Sequence, residues 1–173
     1  PGLITYTQWL NERGTIEADL TVAMLGPEEF LVVATDTAHR HVQARLARQC
    51  ADHHAFVTDV TSGLAQLNVQ GPRSRELLQS VTSVELSNEA FPFRTARSID
   101  IGFATVLCVR ITYLGELGYE LYVPAEQALH VHDVVVAAGA PFGLRHAGLK
   151  ALASLRMEKG YRDYGHDIDN TDD

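Results

Sequence analysis

Strand-like segments of this chain follow one another across short turns that contain glycine, and this order limits the folds open to it. Leu3–Gln8 and Ile16–Leu25 are separated by a short glycine turn, and Ala96–Ile101 and Phe103–Thr112 meet at Gly102. Such short reversals join antiparallel neighbours, because parallel strands need a crossover of roughly a dozen residues or more. The sequence therefore predicts an α+β fold with antiparallel or mixed sheets and packed helices.

The spacing of hydrophobic residues along the chain predicts the remaining strands and the helices. In Ile16–Leu25 apolar residues alternate with polar ones, which indicates a strand with one face on a core and puts Asp19 on the other face. Apolar residues four apart predict helices elsewhere. The expected helices run from Asp36 or Thr37 to Cys50, from Gly71-Pro72 onward, over Ala125–Ala138 and over Gly148–Lys159. The other expected strands are Phe30–Ala34, Phe56–Val60, Leu64–Val69 and Tyr119–Val123.

Composition and charge exclude several classes of protein. The 173 residues are 46% hydrophobic and 21% charged, which excludes a disordered or fibrous chain. The net charge of −8 makes binding to nucleic acid or an acidic membrane surface unfavourable, and no apolar stretch is long enough to span a bilayer. Two cysteines, Cys50 and Cys108, are too few for a disulfide framework, so we expect both reduced in the cytoplasm or, in a eukaryote, the mitochondrial matrix. A small molecule or another protein is the expected partner.

Common phosphate, nucleophile and metal motifs do not occur. The sequence has no G-x-G-x-x-G, no P-loop and no G-x-S-x-G, and its eight histidines lack the spacing of a metal-binding helix. We therefore expect no metal site and interpret the histidines as solvated side chains.

Two places remain as candidates for chemistry. Asp19 lies in the middle of a strand, where aspartate is disfavoured, and it is either an outward-facing charge or a functional carboxylate. The segment Tyr113–Tyr122 gathers two carboxylates and three phenols around a glycine turn. It is either an ordinary turn with surface glutamates or a site where a carboxylate accepts two N–H bonds from a planar heterocycle held by aromatic rings. Arg156, in the last turn of the final helix, binds a carboxylate ligand or pairs on the surface with Glu158 or Asp163.

Several separated blocks of the sequence, in the same order, resemble the folate-binding aminomethyltransferase family, over essentially all 173 residues. This family includes the T-protein of the glycine cleavage system and the C-terminal halves of dimethylglycine and sarcosine dehydrogenases. The blocks that look closest to the dehydrogenases are Ser87–Phe93, Gly115–Glu120 and Glu158–Arg162. The other blocks are Tyr6–Gly14 with Ile16–Val22, Val69–Pro72, Thr112–Glu120 and Ser154–Tyr161. The chain departs from the T-protein at Leu152 and Ala153, where that protein has an Arg-Asp pair.

The resemblance implies a role for each candidate. Asp19 matches the acidic residue beside the reactive nitrogens of tetrahydrofolate and is the expected catalytic residue. Tyr113 matches a tyrosine that lines the folate pocket, and Glu120 matches the carboxylate that pairs with the amino-pyrimidine edge of the pterin. Tyr122 is expected to bind the cofactor with them, and Arg156 is the expected partner of the glutamyl tail.

The family also implies an activity. A domain of this kind takes a methylene unit from an aminomethyl or iminium donor, derived from a methylated amine, and gives 5,10-methylenetetrahydrofolate. FAD is expected only on a separate or missing dehydrogenase domain or subunit, since residues 1–173 correspond to the middle of the family pattern. Two alternatives stay open: a non-catalytic regulatory or binding homologue, and a fragment with an exposed apolar face that forms a homodimer.

Overall fold

The computed structural model describes residues 1–172 and divides into two compact units, each built around its own antiparallel sheet. Residues 3–60 and 162–172 form most of the first unit. Residues 61–161 form most of the second. All named strand pairs are antiparallel, so the predicted α+β class is confirmed.

The first unit is a three-stranded meander followed by a helix. Strands β1 (Ile4–Leu10), β2 (Ile16–Met24) and β3 (Phe30–Ala34) lie in the order β1-β2-β3. A 3₁₀ turn, Asp36–Ala38, leads into helix α1 (His39–Cys50). A buried cluster of this unit joins the sheet to the helix and contains Ala18, Leu20, Ala38 and Val42.

The second unit contains a four-stranded sheet and three helices. In chain order the elements are β4 (Leu64–Gln70), α2 (Ser74–Gln79), β5 (Ala96–Ile101), β6 (Ala104–Val109), β7 (Gly118–Pro124), α3 (Ala128–Gly139) and α4 (Leu149–Glu158). The order within the sheet is β4-β7-β6-β5, so β7 is bonded on both edges.

The larger core belongs to this second unit. Inward-facing residues of all four strands pack with those of α2 and α3, and Phe91 in the loop before β5 joins them. Cys108 lies in this core, and its burial raises the pKa of its thiol to about 12. Cys50 and Cys108 are both free cysteines, as expected. Among residues 1–172 no helix has the length and apolar character needed to cross a membrane.

The structure corrects one predicted strand and the starts of three helices. Phe56–Val60 has strand-like composition, but it forms no strand, and Phe56 is 86% exposed. Composition alone does not form a strand, because the backbone needs a neighbouring strand to bond. Helices α1, α2 and α3 each begin about two or three residues later than expected. Asp36 does not cap α1, since its side chain accepts a bond from the Thr37 N–H instead.

Two of the sequence blocks meet where β4 ends and β7 begins. Gly118 pairs with Gln70 across the two strands, and the Gln70 Oε1 atom accepts a 2.7 Å bond from the Thr112 hydroxyl. A Cβ added to Gly118 would lie 1.9 Å from that same oxygen. A side chain at position 118 therefore has to displace Gln70 and break its bond to Thr112.

We predict that Gly118→Ala lowers the free energy of unfolding by about 1–3 kcal/mol, because overpacking and a lost hydrogen bond act together. Urea denaturation of the two proteins measures this difference. Gly63→Ala is the matched control, since a Cβ at Gly63 meets nothing within 4 Å. An equal decrease in the free energy of unfolding in the two variants would show that the Gln70–Gly118 contact is not tight.

Candidate functional site

Strand β7 presents Glu120 and Tyr122 on the face opposite its core side chains. The Tyr122 hydroxyl donates a 2.8 Å hydrogen bond to Glu120 Oε2. Tyr122 is only 7% exposed, and Glu120 is half-buried. In the strand register Glu120 lies opposite Asn68 of β4 and Val109 of β6. Alternation along β7 thus brings together two of the residues predicted to bind the cofactor.

The surroundings of this pair disfavour charge. Burial raises the pKa of the Glu120 carboxyl, and the bond from Tyr122 opposes that rise only in part. Burial and the neighbouring carboxylate raise the pKa of the Tyr122 hydroxyl, which therefore stays a donor. Among residues 1–172, Glu120 Oε1 has no hydrogen-bond partner. The carboxylate is thus fixed at one oxygen and open at the other.

The expected convergence of three phenols in Tyr113–Tyr122 is wrong. Tyr119 is 0% exposed in the core, and its hydroxyl accepts a 3.2 Å bond from Arg75. The cause is the period of two in β7, which sends Tyr119 and Tyr122 to opposite faces. Glu116 is an exposed residue of the turn, so the segment contributes one half-buried carboxylate.

Asp19 lies in β2 of the first unit, on the face opposite the buried Ala18 and Leu20, as its place in the alternation predicts. Its Oδ2 accepts a 2.6 Å bond from the Tyr6 hydroxyl. Burial raises the pKa of the Asp19 carboxyl, the bond from Tyr6 lowers it, and Asp163 raises it further. Asp19 Oδ1 has no hydrogen-bond partner within the described chain. Asp19 is therefore a half-buried, oriented carboxylate rather than a freely solvated one.

Two polar neighbours of Asp19 were not predicted from the sequence. Gln8 lies directly opposite Asp19 in the β1–β2 register, and its Nε2 donates a 3.2 Å bond to the Tyr6 hydroxyl oxygen. Tyr6 and Gln8 are two residues apart, so they share one face of β1. Pairing the two strands through the glycine turn would have placed both beside Asp19.

Tyr113 lies in the second unit, in the turn before β7. Its ring stacks with that of Tyr161 at a centroid distance of 6.2 Å and an interplanar angle of 23°. The Lys159 side chain packs over Gly115 so closely that an added Cβ would lie 2.3 Å from its Cγ atom. The turn and the end of α4, which are two separate sequence blocks, are thus in contact.

Arg156 closes the end of α4. The Tyr161 N–H bonds to Arg156 O at 3.1 Å and the Gly160 N–H to Met157 O at 3.0 Å, with Gly160 at a φ of 67°. This is a Schellman motif, which uses glycine because its left-handed conformation is costly for other residues. The Arg156 guanidinium donates a 2.7 Å bond to Tyr161 O, and the residue as a whole is 8% exposed.

The arrangement suits binding and electrostatic work. No group of three or more His, Cys, Asp or Glu side chains within residues 1–172 is placed to hold a metal ion. Glu120 and Asp19 each carry a tyrosine hydroxyl on one oxygen and leave the other open. Such a carboxylate can accept N–H donors or stabilise a nearby positive charge.

We predict that the difference in unfolding free energy between Glu120→Gln and the natural protein depends on pH. Burial raises the pKa of Glu120 above its ordinary 4.5, so the folded chain binds this proton more tightly than the unfolded chain does. Ionisation of Glu120 therefore lowers stability as the pH rises above 4.5, and a glutamine does not ionise. The free energy of unfolding of the variant minus that of the natural protein should increase from that pH upward and then level off. Urea melts from pH 4 to pH 8 measure it, and a constant difference would contradict the assignment.

Comparison with known proteins identifies the family. The sequence matches the GCVT N-terminal domain family over residues 1–173. It is 42% identical over 168 residues to 4-methylaminobutanoate oxidase (formaldehyde-forming) of Paenarthrobacter nicotinovorans and 38% identical over 183 residues to mitochondrial sarcosine dehydrogenase of Mus musculus. Each of these matches includes 97% of this chain and 20% of the relative. The mitochondrial pyruvate dehydrogenase phosphatase regulatory subunit of Mus musculus is 33% identical, over 96% of this chain and 19% of that protein.

A solved structure agrees with the sequence relatives. The glycine cleavage system aminomethyltransferase T from Bartonella henselae superposes with a TM-score of 0.83 at 25% identity, over 98% of this chain and 44% of that one. The chain thus spans about a fifth of the length of the relatives named above and under half of this structure. The fold and the sequence lead to one conclusion: the chain belongs to the folate-binding aminomethyltransferase family, as a GCVT N-terminal domain.

Proposed function

We propose that this chain is a tetrahydrofolate-binding domain for one-carbon transfer, with residues 1–173 forming part of a longer family pattern. The observation that carries the proposal is the Glu120 carboxylate, held at Oε2 by Tyr122 and open at Oε1. Glu120 is also the residue that the family resemblance assigns to the amino-pyrimidine edge of the pterin.

The chemistry of this carboxylate fits that edge. An amino-pyrimidine presents a ring N–H and an exocyclic NH₂ side by side, which match the two oxygens of a carboxylate. Glu120 Oε2 keeps a second lone pair beyond the bond from Tyr122, and Oε1 is open. Because Glu120 is half-buried, bonds to it are less weakened by water than bonds at the surface. Tyr113, stacked on Tyr161, supplies an aromatic face for a planar ring.

Asp19 is proposed as the catalytic residue. Its carboxylate is oriented by the bond from Tyr6 and has an open Oδ1. A negative charge fixed beforehand stabilises positive charge as it develops on nitrogen during transfer, without a cost for reorienting the group. Arg156 is proposed for the anionic glutamyl tail, in addition to its bond to Tyr161 O.

The proposed donor is an aminomethyl or iminium derivative of a methylated amine. Two relatives carry N-methylated amino acids in their names, sarcosine and 4-methylaminobutanoate. Tetrahydrofolate, when bound, supplies the two amine nitrogens that take up the methylene unit as 5,10-methylenetetrahydrofolate. Oxidation of the amine is assigned to an FAD-dependent dehydrogenase domain or subunit outside residues 1–173. We place the protein in the cytoplasm, or in the mitochondrial matrix of a eukaryote.

A second candidate is a non-catalytic regulatory module of the same family. The observation in its favour is the 33% identity to a phosphatase regulatory subunit over 96% of this chain. Folate binding without transfer of the one-carbon unit would favour it. We also propose that the chain self-associates into a homodimer, which a solution mass of twice 19.0 kDa would support.

We predict that Glu120→Gln weakens tetrahydrofolate binding by about 10- to 100-fold. The amide puts an NH₂ where the ligand also donates, and a half-buried hydrogen bond to a charged group is worth about 1.5–3 kcal/mol. Isothermal titration calorimetry gives the dissociation constants. Glu116→Gln is the matched control, because Glu116 is an exposed glutamate of the neighbouring turn. It should bind like the natural protein. Equal affinities of the two variants would remove Glu120 from the site, and no binding by the folded natural chain would overturn the proposal.

We predict that Asp19→Asn slows the transfer step about 100- to 1000-fold and changes tetrahydrofolate affinity much less, because the charge acts on the transition state. A single-turnover assay measures it, with an N-methylamine and a separate amine oxidase to generate the iminium donor. The exposed Asp52 provides the control variant Asp52→Asn. A rate equal to that of the natural protein in Asp19→Asn would exclude the catalytic role.

A further inference from the structure

Three arginines of the second unit lie together and have no carboxylate partner among residues 1–172. Arg75 is on α2, Arg97 on β5, and Arg110 directly after β6. Within residues 1–172 all the hydrogen bonds of these three guanidinium groups go to neutral oxygens. Two nearby glutamates have other partners: Glu76 pairs with Arg73 at 3.1 Å, and Glu85 accepts a hydrogen bond from Ser87. In a chain with a net charge of −8, three uncompensated cations in one cluster are unexpected.

A single amide oxygen joins two of these arginines. Asn88 Oδ1 accepts a 2.6 Å bond from Arg75 Nη2 and a 2.7 Å bond from Arg110 Nη2. The distances are those of charge-assisted bonds, and the paired guanidinium donors match a carboxylate or phosphate oxygen better than a neutral amide. Arg97 is next to them, with its Nη2 on Ala90 O and its guanidinium carbon 4.8 Å from the centre of the Phe91 ring.

The burial of Arg110 points to an anion site independently of the contacts with Asn88. The residue is 9% exposed, and its buried Nε has no hydrogen-bond partner in the described part of the chain. Its backbone is fixed, since the Arg110 N–H bonds to Thr95 O at 2.8 Å and Arg110 O accepts from the Arg94 N–H at 2.9 Å. A buried donor left without an acceptor is rare and is costly unless an ion or water satisfies it.

A ligand from solvent would reach the arginine cluster at Asn88. This residue is exposed and sits in a turn closed by Ser87, whose carbonyl accepts the Phe91 N–H at 2.9 Å and whose hydroxyl accepts the Ala90 N–H at 3.1 Å. A rotation of the Asn88 side chain toward solvent frees donors on Arg75 and Arg110 and leaves the turn itself in place.

We propose that Arg75, Arg97 and Arg110 form a binding site for a small oxyanion, a phosphate or carboxylate group, and that Asn88 Oδ1 takes the place of an anion oxygen in the free protein. Three other contacts hold the guanidinium groups in place: Arg75 with the Tyr119 hydroxyl, Arg97 with Ala90 O and Arg110 with Phe91 O. This site is separate from Glu120 and Asp19 in its residues and its charge. Its test does not depend on folate.

The test measures the melting temperature of the protein at increasing concentrations of inorganic phosphate at pH 7. Sodium chloride is adjusted so that the ionic strength stays constant. A ligand that binds only the folded state raises the melting temperature in a saturable way, by about 5 °C at roughly 100 times its dissociation constant. A second series with acetate distinguishes a phosphate site from a carboxylate site. A saturable rise in the melting temperature in either series supports the proposal and shows which anion binds.

Four variants assign the response to the cluster. Asn88→Asp supplies a carboxylate in place of the anion and should abolish the response, as should Arg75→Gln. Asn88→Ala removes the competing amide and should lower the midpoint concentration roughly 3- to 10-fold. Arg73→Gln, whose arginine pairs with Glu76 outside the cluster, should respond like the natural protein. No saturable response in the natural protein to either anion, or a full response in Asn88→Asp or Arg75→Gln, would overturn the proposal.

Discussion

The alternation of side chains along β7 is the constraint on which the second unit depends. Tyr119, Leu121 and Val123 lie in the core, while Glu120 and Tyr122 lie on the opposite face. Because β7 is bonded to both β4 and β6, a shift of one residue would move every one of these side chains across the sheet. The same register that buries the core therefore fixes the carboxylate that we assign to the pterin.

Each unit orients one half-buried carboxylate with a tyrosine hydroxyl. Tyr122 bonds to Glu120 two residues away on one strand, and Tyr6 bonds to Asp19 across a strand pair. In both cases burial raises the pKa of the acid and the tyrosine opposes the rise. The bond from the tyrosine hydroxyl lowers the free-energy cost of burying the carboxylate charge, and the other carboxylate oxygen can still accept a bond from a ligand.

Local patterns predicted much of this structure. The short glycine turns predicted the antiparallel sheets, the alternation in β2 predicted the face of Asp19, and the spacing of apolar residues in Gly148–Lys159 predicted α4. The false strand Phe56–Val60 shows the limit, since strand formation depends on a distant partner. The bonds of Arg75 and Arg110 to Asn88 were also not predictable, because they join side chains far apart in the sequence.

The central claim is that Glu120 binds the amino-pyrimidine edge of tetrahydrofolate. A crystal structure of the chain with tetrahydrofolate bound tests it most directly. We predict two N–H donors of the pterin within about 3 Å of the Glu120 carboxylate, with the Tyr122 bond retained. A pterin bound elsewhere, with Glu120 Oε1 still open to solvent, would contradict the account.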